Sequence, residues 1–341
     1  MRDGLRLLDL GWVSGLRSQT VWHAVAERTT PDDRATLCLC SPTDAYVSIG
    51  YHRRLDEIDL AACEQRGLPV YRRRVGGGPV YCDGSQLFFQ LIVPERGWPA
   101  MMDRAWERAM GPAVDAFRAM GVKAELTEAN DLVAEGRKIS GTGAARIGDA
   151  LVFVGNVIFD FDHDAMADIL ALSAGAKKEA ARLMRRYLAP VHEAANREVD
   201  RAEAVRELID SYAAAFGIPR RSTLTDDEVD AARALDERFA DRAWVGSDRP
   251  PVSPRIKIRA GVSLLLLGSS WVSVVDGVIE GAGLTNGWVP APGMRATLQR
   301  ALAGTAVERD ALAAAVTGAC GTWDKGEQLV EAIIGAYRGG A

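Results

Sequence analysis

The chain has 341 residues, 48% of them hydrophobic and 26% charged, with a formal net charge of −5. That length admits one large or two ordinary domains with an ample core, and the acidic balance argues against broad nucleic-acid binding. No apolar run is long enough to cross a bilayer, and the N-terminal segment lacks the apolar core and cleavage site of a secretory signal, so a cytoplasmic protein is expected. The cysteines Cys38, Cys40, Cys63, Cys82 and Cys320 form no CxxC and share no ligand spacing with His23, His52, His163 or His192. Reduced thiols, most of them buried as small apolar side chains, are expected rather than a metal site.

In chain order, the pattern predicts a helix over 16–28 with Val21, Trp22 and Val25 inward, then strands at 37–39 and 46–49. A helix follows over 56–66, with Gly67 as its C′ residue. Next, Arg72-Arg73-Arg74-Val75-Gly76-Gly77-Gly78-Pro79-Val80-Tyr81 reads as a tight turn between the apolar runs 68–71 and 87–93. A helix over 104–120 ends at Gly121, with Pro112 expected to kink or interrupt it. Short strands are predicted at 122–126, near Leu132, at 150–154 and at 157–161. These elements make a mixed α/β domain with many antiparallel neighbours. Residues 164–241 read as helical. The proline-rich stretch 247–254 reads as a linker. Beyond it come strands at 256–259, 262–267, 271–275 and 278–279, with Asp276-Gly277 as a hairpin turn, and helices at 293–303, 308–319 and 323–337. The expected division is therefore a first domain over 1–246, a linker, and a small α+β domain over 255–341.

Two segments carry the chemistry. Glycine lets a ligand approach the main chain, free N–H groups in such a turn make an anion cradle, and arginine adds fixed charge, so residues 72–81 read as an anion-holding loop. Three glycines in a row also fit a mobile turn. The second segment runs Asn130-Asp131-Leu132-Val133-Ala134-Glu135-Gly136-Arg137-Lys138-Ile139-Ser140-Gly141-Thr142-Gly143, where Lys138 is placed as a lysine emerging from a strand. A lone lysine there is ordinarily solvated.

Together, Arg-Arg-x-x-Gly-Gly-Gly-x-Val-Tyr-x-Asp and Asn-Asp-Leu-Val…Gly-Arg-Lys-Ile-Ser-Gly resemble the lipoate–protein ligase family, part of the wider group of biotin and lipoyl ligases and octanoyltransferases. The resemblance covers about residues 5–244 and is strongest at 70–93 and 130–159. Residues 256–262 and 274–279 look like the accessory domain of two-domain ligases. The resemblance implies a mixed sheet with helices of the class II aminoacyl-tRNA and biotinyl synthetase kind. It implies activation of lipoate or octanoate by ATP to an acyl-AMP, then transfer to a lysine of a lipoyl carrier domain. By position, Arg73, Gly76, Gly77, Gly78, Pro79, Val80 and Tyr81 match the nucleotide- and lipoate-binding loop. Lys138 matches the lysine that contacts both the lipoate carboxylate and the α-phosphate. Asn130 and Asp131 match the pair near the phosphates, with Asp131 as a ligand for Mg²⁺.

Val75, Pro79, Cys82 and Phe153-Val154-Gly155-Asn156 depart from the family's usual pattern. The segments Gly50-Tyr51-His52 and Ser85-Gln86-Leu87-Phe88 resemble a divergent branch associated with sulfur-oxidising systems. The expected carrier thus belongs to such a system, or to an oxoacid dehydrogenase or glycine cleavage system. No nucleic-acid or membrane partner is expected. Val70, Val80, Phe88 and Phe89 are candidates for an acyl slot or for core. Two alternatives stand beside the ligase. One is an ATP-independent octanoyl- or lipoyltransferase, which uses a cysteine typically placed beyond the lysine motif, where this chain has none before the linker. The other is a non-catalytic acyl-binding scaffold. The basic run Lys177-Lys178…Arg182…Arg185-Arg186-Tyr187 reads either as a solvated helix face or as a segment that covers the adenylate or docks an acidic carrier.

Overall fold

A computed structural model describes residues 4–127, 130–250 and 254–338. The chain opens with β1 (Leu5–Val13), α1 (Gly15–Arg28), β2 (Ala35–Pro42), β3 (Tyr46–Ile49), α2 (Leu60–Gln65), β4 (Val70–Arg72), β5 (Val80–Cys82), β6 (Gln86–Pro94) and α3 (Met102–Ala119). It continues through β7 (Ala124–Leu126), β8 (Leu132–Ala134), β9 (Arg137–Ser140), β10 (Gly143–Ile147) and β11 (Ala150–Ile158). Then come α4 (His163–Asp168), α5 (Ala174–Tyr187), α6 (Val191–Ala195), α7 (Arg201–Phe216), β12 (Pro219–Arg221), α8 (Asp226–Ala240) and α9 (Arg242–Val245). The remainder is β13 (Arg255–Arg259), β14 (Val262–Leu267), β15 (Ser270–Val275), β16 (Val278–Gly283), α10 (Arg295–Leu302), α11 (Arg309–Cys320) and α12 (Gly326–Arg338). The fold is mixed α/β, as expected.

By compactness the chain forms two units. The first holds Met1–Leu55, Leu60–Asp162 and Ala189–Arg249; the second holds Asp56–Asp59, His163–Leu188 and Pro250–Ala341. Residues 163–188, placed by the sequence pattern in the first domain, thus group with the second unit. Of the expected linker, residues 251–253 lie outside the described residues.

The first unit is built on a six-stranded sheet in the order β10-β11-β6-β2-β1-β12. Strand alternation divides its side chains between two layers. Leu37, Leu39, Phe89 and Leu91 face a core shared with Met110 and Phe117 of α3 and Leu208 and Tyr212 of α7. Cys38 and Ile92 face the opposite side, against Trp22 and Val25 of α1. Helix α8 lies along α1 through Ala231, Ala232, Leu235 and Phe239. Its start is fixed by a capping box of Thr225 and Glu228, and Glu228 also receives the Arg6 guanidinium at 2.5 Å.

Several elements depart from the sequence expectation. The helix over 56–66 is broken: Leu55–Glu57 is a short 3₁₀ turn, Ile58 makes a β-bridge to Leu170, and only then does α2 begin. Gly67 does take the left-handed conformation at φ +65°. Helix α3 runs through Pro112 without interruption. The two strands expected at 150–154 and 157–161 are the single strand β11, paired along its whole length with β6. The short strand β12, too brief for any periodicity, extends the sheet parallel to β1.

The second unit has three layers. Its sheet runs β13-β14-β15-β16. Leu265, Leu267, Val272 and Val274 face a core with Leu298, Leu312, Leu329 and Ile333 of α10–α12. Helix α5 packs on β13, β14 and β15, with Ala176, Ala180, Ala181, Leu183 and Met184 buried. Alternation puts it on the face away from Leu265 and Leu267. The Asp276-Gly277 turn has positive φ at both residues, +48° and +81°, as a type I′ hairpin requires.

Candidate active site

The glycine loop is not a hairpin. Strands β4 and β5, which it joins, do not pair with each other; both flank β3, β4 in parallel and β5 antiparallel. The loop over 73–79 must therefore cross the end of β3. There the Ile49 carbonyl accepts the Arg73 N–H at 3.0 Å, and the Val75 carbonyl accepts the Tyr51 N–H at 3.1 Å. Gly50 has no room for a side chain, because a Cβ there would overlap the Gly77 carbonyl.

All three arginines make contacts within the protein. Arg72 is fully buried and donates to the carbonyls of Gly50, Tyr51, Arg53, Trp244 and Val245. Arg73 donates to the carbonyls of Gly76, Gly78 and Ser48, at 2.8 Å for each nearest nitrogen, and to Ser48 Oγ at 3.3 Å. Arg74 pairs with Glu27. All three side chains thus hold structure. The acceptors of Arg73 are neutral groups, so its charge stays in the loop, and burial holds its guanidinium down at about 10.

This scaffolding sets the direction of the loop amides. In a trans peptide the C=O and N–H point opposite ways. The carbonyls of Val75, Gly76 and Gly77 face Tyr51, Arg73 and Gly50 respectively. The N–H groups of Gly76, Gly77 and Gly78 consequently point away from these anchors, and they have no hydrogen-bond acceptor among the described residues. The Gly78 carbonyl also goes to Arg73, and the following Pro79 has no N–H to contribute. Three successive free amides beside the half-buried Arg73 guanidinium make a nest for an anion.

The loop is seated from the other side by His23 of α1. This side chain is fully buried. Its Nδ1 sits 2.5 Å from the Gln19 carbonyl, and its Nε2 accepts the Arg74 N–H at 3.1 Å. That pattern requires the neutral Nδ1-protonated ring, and burial lowers its pKa to about 3.

Lys138 lies on β9, as its sequence context predicts, but it is not a solvated lysine. Its Nζ donates to Asp131 Oδ1 at 2.9 Å, with side-chain exposures of 18% and 4%. The β8–β9 hairpin turns at Glu135-Gly136, both with positive φ, and so returns the lysine beside Asp131. The Asp131 N–H donates to Thr127 Oγ1 at 3.1 Å, and the Asn130 carbonyl accepts Thr142 Oγ1 at 2.6 Å. The Lys138 carbonyl accepts the Ala189 N–H at 2.9 Å. Val75 brings the two motifs together, because it packs on Gly143, where a Cβ would approach its Cγ1 to 2.6 Å.

The remaining expected residues divide. Val80 and Tyr81 are half-buried on β5. Phe88 and Val80 pack with Cys40, Tyr46 and Cys82, whereas Phe89 belongs to the other core and its ring covers Gly155. Cys38, Cys40 and Cys82 are buried, and burial raises all three thiols, Cys40 and Cys82 to about 12. Four basic residues of α5 are engaged within the second unit, Lys177 with Asp59, Arg182 with Glu179 and Glu280, Arg185 with Asp164, and Arg186 with Glu280, while Lys178 is exposed. No group of three or more His, Cys, Asp and Glu side chains able to hold a metal ion occurs among the described residues. No described helix is long and apolar enough to cross a membrane.

The chain is similar to known proteins. It is 34% identical over 111 residues to the lipoate-protein ligase LplJ of Bacillus subtilis (strain 168), a match covering 32% of this chain and 33% of that protein. It is 25% identical over 229 residues to the octanoyltransferase LipM of Brevibacillus brevis, covering 59% and 83%. In fold it resembles a bi-partite lipoate protein ligase of Thermoplasma acidophilum, with a TM-score of 0.66 at 24% identity over 74% of this chain and 100% of that one. It also resembles a lipoate-protein ligase A bound with ATP, with a TM-score of 0.60 at 23% identity over 72% and 99%. The lipoyl protein ligase A/B catalytic domain model matches residues 19–213, more than half of the chain, and the protein belongs to that family.

Proposed function

We propose that the protein is an ATP-dependent lipoate–protein ligase that forms lipoyl-AMP and passes the acyl group to a lysine of a lipoyl carrier domain. Ligases and octanoyltransferases share the family, and the burial of the thiols supports the ligase reading. A transferase needs an activated cysteine. Cys38, Cys40, Cys63 and Cys82 are all buried, burial raises the thiols of Cys38, Cys40 and Cys82, and no cysteine occurs between Lys138 and Cys320 of the second unit. An anion nest and a held ammonium, on motifs joined by the contact of Val75 with Gly143, suit adenylation instead.

In the first step the lipoate carboxylate attacks the α-phosphorus of ATP and pyrophosphate leaves. Two anions must meet, and charge gathers on the phosphoryl oxygens. The Lys138 ammonium, held by Asp131, and the free amides of Gly76, Gly77 and Gly78 offset that charge without reorganising. In the second step the carrier lysine, as a neutral amine, attacks the acyl carbonyl and AMP leaves. That step asks mainly for placement. Mg²⁺ bound with phosphates takes one or two carboxylates, so Asp131 fits as one ligand of an ion that arrives with the nucleotide. When bound it would neutralise the triphosphate. The protein should release pyrophosphate and accumulate lipoyl-AMP when given ATP, Mg²⁺ and lipoate, and Lys138→Ala should abolish both. A covalent acyl-cysteine formed from an octanoyl carrier protein without ATP would overturn the reading in favour of the transferase.

A further inference from the structure

The Ser85-Gln86-Leu87-Phe88 and Phe153-Val154-Gly155-Asn156 segments, which the proposed chemistry leaves unused, meet beneath the site. Gln86 on β6 and Asn156 on β11 are diagonal neighbours on one face of the sheet, since Asn156 pairs with Phe88 and Gln86 with Ile158. Both are buried, with 1% and 7% of their surface exposed.

Their amides form a directed chain. Gly141, three residues after Lys138, donates its N–H to Asn156 Oδ1 at 2.7 Å. Asn156 Nδ2 donates to Gln86 Oε1 at 3.0 Å, and Gln86 Nε2 donates to the Tyr81 carbonyl at 3.2 Å. Ser140 Oγ accepts the Asn156 N–H at 3.0 Å and donates to Asn156 Oδ1 at 3.3 Å. One orientation of each amide satisfies every partner, because an N–H at Gly141 demands an oxygen and a carbonyl at Tyr81 demands a nitrogen.

We propose that Gln86 and Asn156 are positioning residues that set the spacing between the exit of the glycine loop, at Tyr81, and the end of the lysine strand, at Gly141. The bridge is neutral, so it fixes geometry without adding charge beside Lys138. Neither side chain needs to touch substrate. The catalytic consequence rests on the adenylation reading above; the structural coupling does not.

The test compares the full chain with Gln86→Leu, Asn156→Leu and the double variant, using two readouts at a temperature where all remain folded. The double variant guards against misreading the singles, because each single leaves one buried side-chain amide without the other, whereas the double removes both ends of that bond at once. The first readout is amide hydrogen exchange. Gln86→Leu should speed exchange at 138–143, and Asn156→Leu at 73–82, each at the motif that the substituted side chain does not itself touch. The second is pyrophosphate release with ATP, Mg²⁺ and lipoate. Each single variant should lower kcat by about tenfold to a hundredfold with a smaller change in KM, and the double variant should fall no further than the worse single. Exchange changes confined to the segment each residue touches, additive losses in kcat, or an unchanged kcat would each overturn the proposal. A wild-type protein that makes no acyl-AMP would sink the adenylation reading, while the exchange readout would still decide the bridge.

Discussion

At the scale of single residues, the pairing of Lys138 with Asp131 decides what substitution at either position does. Both are largely withdrawn from water, so removing the ammonium leaves a carboxylate in a low-dielectric place. Lys138→Met should therefore do two things: abolish adenylation, and destabilise the fold by about 2–4 kcal/mol at neutral pH. Adding Asp131→Asn should recover much of the stability but none of the activity. Urea unfolding of the two variants at pH 7.5 checks this; equal midpoints for the single and double variants would show that the pair is not what stabilises the site. The sequence made Lys138 legible as a strand residue, because Ile139 and the small residues after it alternate. Its pairing with Asp131 was not legible. That depends on a two-residue turn at Glu135-Gly136 and a register shift between Leu132 and Val133, which no periodicity reports.

At the scale of elements, the glycine loop shows why a motif can be read correctly while its architecture is not. Apolar runs on both sides of 73–79 fit a hairpin as well as a crossing, and only the intervening β3 decides. Gly50 follows from that crossing rather than from any backbone need, since it does not take a positive φ. Gly50→Ala should cost about 1–3 kcal/mol by overpacking against Gly77, and should impair adenylation more than its loss of stability explains. A variant with unchanged melting temperature and turnover would show that the loop is not seated there. The contact between α1 and the loop adds a pH dependence. His23 is neutral in the fold, with a pKa near 3 against about 6.5 when unfolded, so the unfolded chain binds a proton that the folded one does not. Its contribution is complete above pH 6.5 and is lost as pH falls toward 3. The slope is about 1.4 kcal/mol per pH unit, or about 2 kcal/mol between pH 6.5 and 5. In His23→Gln this part of the pH dependence of urea unfolding should vanish. A slope identical to that of the parent chain would assign it to other groups.

For the whole molecule, the consequential observation is that residues 163–188 belong to the compact unit that contains the C-terminal sheet. The sequence showed this segment as helical with a basic run, and the face it buries, Ala176, Ala180, Leu183 and Met184, was not read there; even an apolar stripe does not name what covers it. The cover is the sheet β13–β15, nearly seventy residues further along the chain. A chain ending after Arg249 should therefore not be a clean catalytic domain. It would leave α5 without the sheet it packs on, and a 14-residue helix stripped of much of its packed face is marginal in water. The effect should also reach Lys138 through the chain itself, because Ala189, the first residue after this segment, holds the Lys138 carbonyl. The expected outcome is cleavage within 163–188 under limited proteolysis, with adenylation lost. Replacing 163–188 by a flexible glycine–serine link in the same shortened chain should restore resistance over the first unit, because the exposed apolar helix is gone. If mass spectrometry instead shows α5 protected in the shortened chain, the helix is stable without the sheet, and the division of the molecule must be redrawn at 247–254.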